Sequence, residues 1–271
     1  MVPQSEFDAL KKNLRGIWMA GDFGQIARYS AKEGEDFVNR LPIGPGMRVL
    51  DVACGTGNLS IPAARKGAAV TGVDIATNLL EQARERAAAE HLQAHFEEGD
   101  AEQLPCADAT FDVVTSMFGA MFAPRPDRVA SELIGVCRPG GVIAMANWTP
   151  TGFAGKMFAI GGRYLPPPEG VPPPVLWGDE ETVRRRFGTA VSDLKMTVRT
   201  LAIYFPFPPR EVVQLFREYF GPTRITFSKL DGPGQAAFAE DLERHWREHN
   251  QAEGTRTLAQ AEYLEVVAVR K

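Results

Sequence analysis

The chain has 271 residues, 44% of them hydrophobic, so it is long enough to bury a large core in one enlarged domain. Its 30 basic and 34 acidic residues give a net charge of -4, and no long stretch is strongly basic, which argues against a nucleic-acid-binding protein. The N-terminus lacks the apolar core of a secretory signal, and no segment reaches the roughly 18 consecutive apolar residues that span a membrane. The three cysteines are too far apart for a CxxC pair and odd in number. These features predict a cytoplasmic protein without membrane contact.

Short runs rich in β-branched residues alternate with helical runs from Met47 onward. Because these runs are apolar on both faces, they predict a parallel sheet that is covered by helices on each side, which is a doubly wound α/β fold. Two further strands are predicted near the C-terminus. The predicted strands cover residues 48–53, 69–75, 94–99, 111–116, 141–146, 194–204 and 262–269.

Local signals predict where several helices and irregular segments lie. Asn78 and Glu81 resemble a capping pair for a helix over 79–90. The segment 149–177 contains two runs of three prolines and several aromatic residues, so it is predicted to be neither helix nor strand and is a candidate lid. The remaining predicted helices lie at about 180–187, 209–220 and 236–250.

A glycine-containing loop, Asp51-Val52-Ala53-Cys54-Gly55-Thr56-Gly57, joins the first predicted strand to a helix. Such loops turn backbone N–H groups toward a ligand, but the same architecture binds NAD, FAD and S-adenosylmethionine (SAM). Ser60 occupies the position where the dinucleotide fingerprint has its third glycine, which weakens the NAD interpretation. Asp74 ends the second strand, where a carboxylate can accept hydrogen bonds from ribose hydroxyls, and Gly99-Asp100-Ala101-Glu102 follows the third strand and could read adenine.

Taken in order, these motifs resemble the class I SAM-dependent methyltransferases, in particular the branch similar to the ubiquinone and menaquinone C-methyltransferases. The resemblance covers roughly residues 46 to 150. The motifs that carry it are Asp51 to Gly57, Gly72-Val73-Asp74, Gly99-Asp100-Ala101, Phe111-Asp112-Val113-Val114 and Arg138-Pro139-Gly140-Gly141.

The resemblance implies a fold, a domain organisation and a cofactor. The fold would be a Rossmann-like sheet of seven mostly parallel strands with an antiparallel last strand, and the cofactor would be SAM. Residues 1–45 would form an N-terminal helical cover, and residues 46–271 a methyltransferase domain with lid insertions at about 149–177 and 207–258.

The resemblance also implies which residues contact SAM. Asp74 would hold the ribose, Asp100 would accept from the adenine amino group, and Asp51 would orient the methionine amine. Tyr29, in the helical cover, could reach the methionine carboxylate. The full set of implied cofactor residues is Tyr29, Asp51, Ala53, Gly55, Gly57, Asp74, Ile75, Asp100, Ala101 and Ser116.

Methyl transfer from a sulfonium is an in-line displacement, so a protein mainly has to align the reactants and exclude water. A general base is optional, and His245 and His249, four residues apart on a predicted helix, are the base candidates. These two histidines also match an HxxEH zinc pattern, but no third ligand accompanies them, so no metal site is predicted. The acceptor pocket is predicted to be walled by Phe118, Met121, Phe122 and Trp148.

The sequence therefore predicts a SAM-dependent methyltransferase that acts on a small, hydrophobic or aromatic acceptor, with O- or C-methylation favoured. An RNA- or DNA-modifying enzyme is an alternative, although it would favour a basic cleft and, for amino-group chemistry, an Asn/Asp-Pro-Pro-aromatic motif where this chain has Ser116-Met117-Phe118-Gly119. A SAM-binding protein without catalysis and a dehydrogenase are further alternatives. The sequence predicts no oligomeric state.

Overall fold

The computed structural model describes residues 4–271, and these form a seven-stranded sheet with helices on both faces. The strands are β1 (Arg48–Val52), β2 (Ala69–Asp74), β3 (Ala94–Glu98), β4 (Phe111–Met117), β5 (Cys137–Trp148), β6 (Val191–Phe205) and β7 (Thr257–Arg270). Their order in the sheet is β3-β2-β1-β4-β5-β7-β6. Strand β7 is antiparallel to both β5 and β6, and the pairs among β1 to β5 are parallel, which confirms the predicted Rossmann-like fold.

The helices precede, connect and follow these strands. They are α1 (Gln4–Met19), α2 (Gly24–Ala27), α3 (Ala31–Arg40), α4 (Ser60–Arg65), α5 (Thr77–Ala89), α6 (Pro126–Val136), α7 (Phe153–Tyr164), α8 (Glu180–Phe187), α9 (Pro209–Tyr219), α10 (Gly221–Lys229) and α11 (Gly232–Glu248). Across residues 4–271, none of these helices combines the length and the apolar character that crossing a lipid bilayer requires.

The core is built on the two faces of the central strands. Successive side chains of a strand point to opposite faces, and on β1 both directions are buried: Leu50 and Val52 pack into one hydrophobic cluster and Val49 into another. All three are at most 1% exposed. A strand that is apolar on both faces is stable only with helices on each side, which is the reason for the doubly wound arrangement.

The parallel register aligns the carboxyl ends of the first strands. Asp51 on β1 pairs with Gly72 on β2 and with Thr115 on β4, and Asp74 at the end of β2 pairs with Glu98 on β3. The loops that follow these strands therefore emerge at one edge of the sheet, where open α/β sheets bind their ligands.

The predicted capping pair at Asn78 and Glu81 is wrong. Helix α5 begins at Thr77, and the residue before it, Ala76, makes no side-chain capping bond. The Asn78 amide instead donates to the carbonyl of Gly21, 3.2 Å away, in the N-terminal segment. The Asn78 side chain therefore makes a long-range contact with Gly21 instead of capping helix α5.

The prediction that residues 149–177 contain no helix is also wrong. Helix α7 occupies Phe153–Tyr164, and its residues Phe153 and Met157, one turn apart, are both buried. This spacing places the two side chains on one face of the helix. The two proline runs lie after α7, where the chain forms only a short 3₁₀ turn at Pro174–Gly178.

A further helix, α10, follows α9 directly and lies between the two helices that the sequence predicted at about 209–220 and 236–250. Pro222 lies in the first turn of α10, where its missing N–H has no helical partner to lose and its fixed φ favours the helix. The predicted helices at about 209–220 and 236–250 correspond to α9 and α11.

Helices α7, α9, α10 and α11 enclose an aromatic cluster against the ends of β6 and β7. Phe205, Phe216, Phe238 and Trp246 are buried in it. Trp18 from the end of α1, together with other side chains of the N-terminal segment, packs against the same cluster. The N-terminal segment and the C-terminal helices therefore form one layer over the sheet edge at which the β1 to β4 loops emerge.

Helix α3 attaches this N-terminal segment to the sheet. Phe37 is fully buried among residues of β1 and α4. Arg40 at the end of the helix pairs with Glu265 on β7 at 2.7 Å, and the Tyr263 hydroxyl donates to Glu33 at 2.5 Å. Apolar burial and a polar network thus hold the same helix, and apolar burial is the larger contribution to stability.

Replacing Phe37 by alanine should lower the free energy of unfolding by about 3–5 kcal/mol, because the change removes a fully buried ring and leaves a cavity. Urea unfolding followed by circular dichroism measures this change. Asn39→Ala, at an exposed position of the same helix, is the matched control and should cost less than about 0.5 kcal/mol. Equal losses in the two variants would contradict the packing described for α3.

Candidate active site

A cleft lies at the carboxyl ends of β1, β2 and β4 and is closed on one side by α1. The cleft has a cavity volume of about 130 Å³, which is room for a ligand much larger than a single water. Seven of the predicted cofactor residues line it: Asp51, Ala53, Gly55, Asp74, Ile75, Asp100 and Ala101. The structure therefore brings together residues from three separate loops.

The loop after β1 has a strained backbone that faces this cleft. Ala53 has φ of +55° and Gly55 has φ of +52°. The left-handed region costs a residue with a Cβ about 1–2 kcal/mol, so Ala53 is held there by its surroundings. A Cβ on Gly55 would meet nothing within 4 Å, whereas a Cβ on Gly57 would contact Ile61 and Ala83. Gly55 therefore faces the cleft, and Gly57 faces helix α5.

Asp51 lies at the base of the cleft and is 1% exposed. Burial raises the pKa of its carboxyl group to about 7, and the nearby charge of Asp74 acts in the same direction. The Ser60 hydroxyl donates to Oδ2 of Asp51 at 2.6 Å, which opposes the rise. Sequence reasoning used Ser60 only as a missing glycine, and its role as the partner of Asp51 was missed because the two side chains meet only in the folded loop.

Asp74 ties the loop to the end of β2. Its Oδ2 accepts from the Gly55 amide and its Oδ1 from the Ala76 amide, each at 2.8 Å. Burial raises the pKa of this carboxyl group, and the backbone hydrogen bonds oppose the rise. Each carboxylate oxygen has a second lone pair, so the group can still accept from two hydroxyls of a ligand.

Asp100 is paired with a residue that sequence analysis did not find. Lys11 on α1 places Nζ 2.5 Å from Oδ2 of Asp100 and 2.8 Å from Oε2 of Glu102, and it lines the cleft. Burial acts to lower the pKa of Lys11, but the hydrogen bonds to these two carboxylates outweigh it and the pKa is raised. No local motif marks Lys11, because its partners lie about 90 residues away in the sequence.

A second cavity, called the aromatic chamber here, adjoins the cleft. Its cavity volume is about 80 Å³. Its walls come from α7, α9, α11, β6 and the N-terminal segment, and they include Phe158, Phe205 and Trp246. Six residues line both the cleft and the chamber: Trp18, Phe23, Ala27, Ser30, Phe118 and Phe122.

Phe118 stands at this junction in a fixed orientation. Its ring is stacked on Trp148 with a centroid distance of 3.7 Å and an interplanar angle of 3°, and the edge of Tyr263 contacts it at 5.5 Å. Its backbone φ is +54°, which is rare for a residue with a large side chain. Rings on two sides and a defined backbone conformation therefore hold Phe118 in place.

The structure does not bring every candidate to these two cavities. Tyr29 lines the chamber rather than the cleft, because its ring packs on Phe205 at 4.4 Å. The Ser116 hydroxyl is buried and accepts from the Ala120 amide. Met121 is 1% exposed and packs in the hydrophobic cluster that contains Leu50 and Val52. Among the predicted acceptor residues, Phe118, Phe122 and Trp148 do line the chamber.

The two histidines proposed as bases lie behind the chamber wall. Nε2 of His245 is 3.0 Å from the carbonyl of Phe153, and Nδ1 of His249 is 2.9 Å from the carbonyl of His245. Neither is among the residues that line the cleft or the chamber. Burial lowers the pKa of His245, which favours its neutral form. Both histidines therefore contribute to the packing around α7.

Comparison with known proteins places this architecture in a family. Residues 49–141 match a family model described as a methyltransferase domain. An uncharacterized protein of Mycobacterium tuberculosis is 39% identical over 246 residues, which are 90% of this chain and 89% of that protein. The malonyl-[acyl-carrier protein] O-methyltransferase of Pectobacterium atrosepticum is 36% identical over 128 residues, 47% of this chain and 49% of that protein.

Among solved structures, the YcgJ protein from Bacillus subtilis has the same fold, with a TM-score of 0.62 at 15% identity over 89% of this chain and 99% of that one. The chain belongs to the class I SAM-dependent methyltransferases. It is an S-adenosyl-L-methionine-dependent methyltransferase, and SAM is its cofactor.

The buried Asp51 should make stability depend on pH in a defined direction. Its pKa is about 7 in the folded chain against an ordinary value of 3.8, so between these values the unfolded chain loses a proton that the folded chain keeps. The free energy of unfolding of the wild type, measured relative to that of Asp51→Asn, should therefore fall as the pH rises from about 4 to about 7.

Urea unfolding at several pH values tests this expectation. Asp193→Asn, at an exposed position on β6, is the control and should leave the pH dependence of the wild type unchanged. Parallel curves for the wild type and Asp51→Asn would show that the Asp51 carboxyl group titrates alike in the folded and unfolded chains, contrary to its burial.

Proposed function

We propose that the protein transfers the methyl group of SAM to a small, hydrophobic or aromatic acceptor that occupies the aromatic chamber, with O- or C-methylation favoured. The observation that carries this proposal is the junction of the two cavities, at which the same six residues line the cleft and the chamber. A molecule in the chamber would lie next to a molecule in the cleft at this junction.

The residues that line the cleft suit the parts of SAM. Asp74 has lone pairs free for the two ribose hydroxyls, and Asp100 follows β3 at the place where the adenine would lie between Ile75 and Ala101. Asp51 lies at the base of the loop, where its carboxyl group can receive the methionine ammonium directly or through water. Because a Cβ on Gly55 would project into open space, the loop backbone can approach the methionine closely.

When bound, SAM supplies a methyl group on a positively charged sulfur. The sulfur is the leaving group of an in-line displacement. The chain has to align the acceptor with that methyl group and exclude water. The stack of Phe118 on Trp148 defines one wall of the junction, and Phe122 and Trp18, whose ring centroids are 5.1 Å apart, define another. Aromatic faces also attract a cation, so these walls suit a sulfonium.

The helices around the two cavities would act as a cover. In this proposal residues 4–45, the described part of the predicted cover over 1–45, close the cleft through Lys11 and Trp18, and the segments 149–177 and 207–258 close the chamber. The ion pairs of Lys11 with Asp100 and Glu102 join the cover to the adenine end of the cleft. A cytoplasmic location stays a prediction of the sequence.

The kind of atom that is methylated rests on indirect support. The Pectobacterium relative methylates oxygen, as its name states, and the resemblance to ubiquinone and menaquinone C-methyltransferases favours carbon. An RNA or DNA acceptor finds no support in the chamber, because none of the described residues that line it is basic.

Cofactor choice can be tested by thermal unfolding. S-adenosylhomocysteine at about a hundredfold excess over its Kd should stabilise the protein by about 2.7 kcal/mol and raise Tm, whereas NAD should leave Tm unchanged. Asp74→Asn should reduce the shift, because one acceptor for the ribose is replaced by a donor. Asp108→Asn, exposed before β4, is the control that keeps the shift. Stabilisation by NAD alone would contradict the proposal.

The acceptor class can be tested with methyl-labelled SAM and fractions of cell extract. We expect the label to appear in small molecules that partition into organic solvent, and to resist nuclease and protease treatment. Asp74→Asn should lower the incorporation in parallel with its weaker cofactor binding. Label that enters RNA, DNA or protein instead would contradict a small-molecule acceptor.

A further inference from the structure

We infer that the acceptor is an apolar molecule whose only ionisable group is the one that is methylated, and that this group loses its proton without a base from the protein. This inference rests on the proposed function and narrows its substrate class. Among acceptors that are methylated on oxygen or carbon, this class comprises phenols whose substituents make the hydroxyl group acidic and the enols of 1,3-dicarbonyl compounds.

The chemistry of the chamber wall limits which acceptors can bind. Among the described residues that line it, none carries a carboxylate, amine, guanidinium, imidazole or thiol group. Burying a charge without a partner is strongly unfavourable, so a second charged group on the acceptor would oppose binding. The wall therefore selects for an acceptor body that is uncharged.

The wall carries two hydroxyl groups, on Tyr29 and Ser30. The Tyr29 hydroxyl accepts from the exposed Arg28 guanidinium at 3.0 Å, so this end of the ring lies with Arg28 at the surface. The Ser30 hydroxyl donates to the Ala27 carbonyl at 3.0 Å. Ser30 lies at the junction and keeps lone pairs that can accept from an acceptor O–H, which orients the acceptor without removing its proton.

Carboxylate, imidazole and amine groups around the chamber lie outside its wall. Asp51 lies in the cleft, where its carboxyl group is buried and bonded to Ser60. His245 is behind Phe153, with Nε2 bonded to that carbonyl, and Lys11 is paired with two carboxylates at the far end of the cleft. General-base catalysis requires a group within hydrogen-bond reach of the proton or one water away, and none of these groups lines the chamber.

The balanced reaction is written without a base from the protein. The acceptor O–H or C–H gives its proton to water before the bound acceptor is shielded from solvent, and the resulting lone pair forms the new bond to the methyl carbon. The bond from methyl to sulfur breaks, and its electron pair stays on sulfur. Only an acceptor that is acidic enough to ionise near neutral pH reaches this state in useful amounts without a protein base, which is why unactivated phenols and alcohols are outside the class.

Binding of 4-nitrophenol to the protein saturated with S-adenosylhomocysteine tests the inference without turnover. Calorimetry at pH 6 should show binding of 4-nitrophenol, and 4-nitrobenzenesulfonate, of similar shape but permanently anionic, should bind at least about tenfold more weakly. The phenolate absorbance of bound 4-nitrophenol should be suppressed relative to the free molecule at the same pH, because S-adenosylhomocysteine lacks the positive sulfur of SAM and the apolar wall alone disfavours the anion.

Two variants on β6 locate the binding site. Ile203→Trp places a larger side chain into the chamber and should weaken 4-nitrophenol binding by at least about tenfold, whereas Ala202→Trp, at the exposed neighbouring position, should not. Both variants should keep the thermal stabilisation by S-adenosylhomocysteine, which shows that they are folded and that the cleft is intact.

Three results would overturn the inference. These are equal or tighter binding of the sulfonate, a phenolate band that grows on binding, and failure of 4-nitrophenol to bind while S-adenosylhomocysteine binds. The last result would leave the proposed methyl transfer standing. Failure of S-adenosylhomocysteine itself to bind would instead contradict the proposed function.

Discussion

The site depends on the hydrogen bond that the Asp74 carboxylate accepts from the Gly55 amide. This bond fixes the loop after β1 against the end of β2, in a conformation that includes Ala53 at positive φ. The second oxygen of Asp74 accepts from Ala76 and fixes the start of α5. One carboxylate thus orders the glycine loop, the helix and the ribose end of the cleft before any ligand binds, which lowers the entropic cost of binding.

The aromatic junction links this ordered cleft to the acceptor side. Phe118 lies between the sheet and the chamber, and its stacking on Trp148 connects the end of β4 with the end of β5. Trp18 and Phe122 come from the N-terminal segment and from the turn after β4, and they meet at the same point. Methyl transfer needs alignment more than acid–base groups, and rings packed in this way provide alignment without polar atoms.

The sequence predicted the strands and the positions of three carboxylates at strand ends, because both depend on local order. Apolar runs mark β1 to β5, and Asp51, Asp74 and Asp100 each lie at or just after a strand end. The chamber could not be predicted, because its walls come from residues as distant as Trp18 and Trp246, which only tertiary packing brings together. The Lys11 ion pairs were missed for the same reason. Helix α7 was missed because the prediction for 149–177 rested on the two proline runs, which lie after the helix.

A crystal structure of the protein with S-adenosylhomocysteine tests the central claim most directly. The ribose hydroxyls should lie within hydrogen-bond distance of Asp74, the adenine should lie beside Asp100, and the sulfur should lie at the junction beside Phe118. An adenosine bound in the chamber, or a sulfur that faces away from the junction, would contradict the account. In either case the two cavities would not serve one reaction.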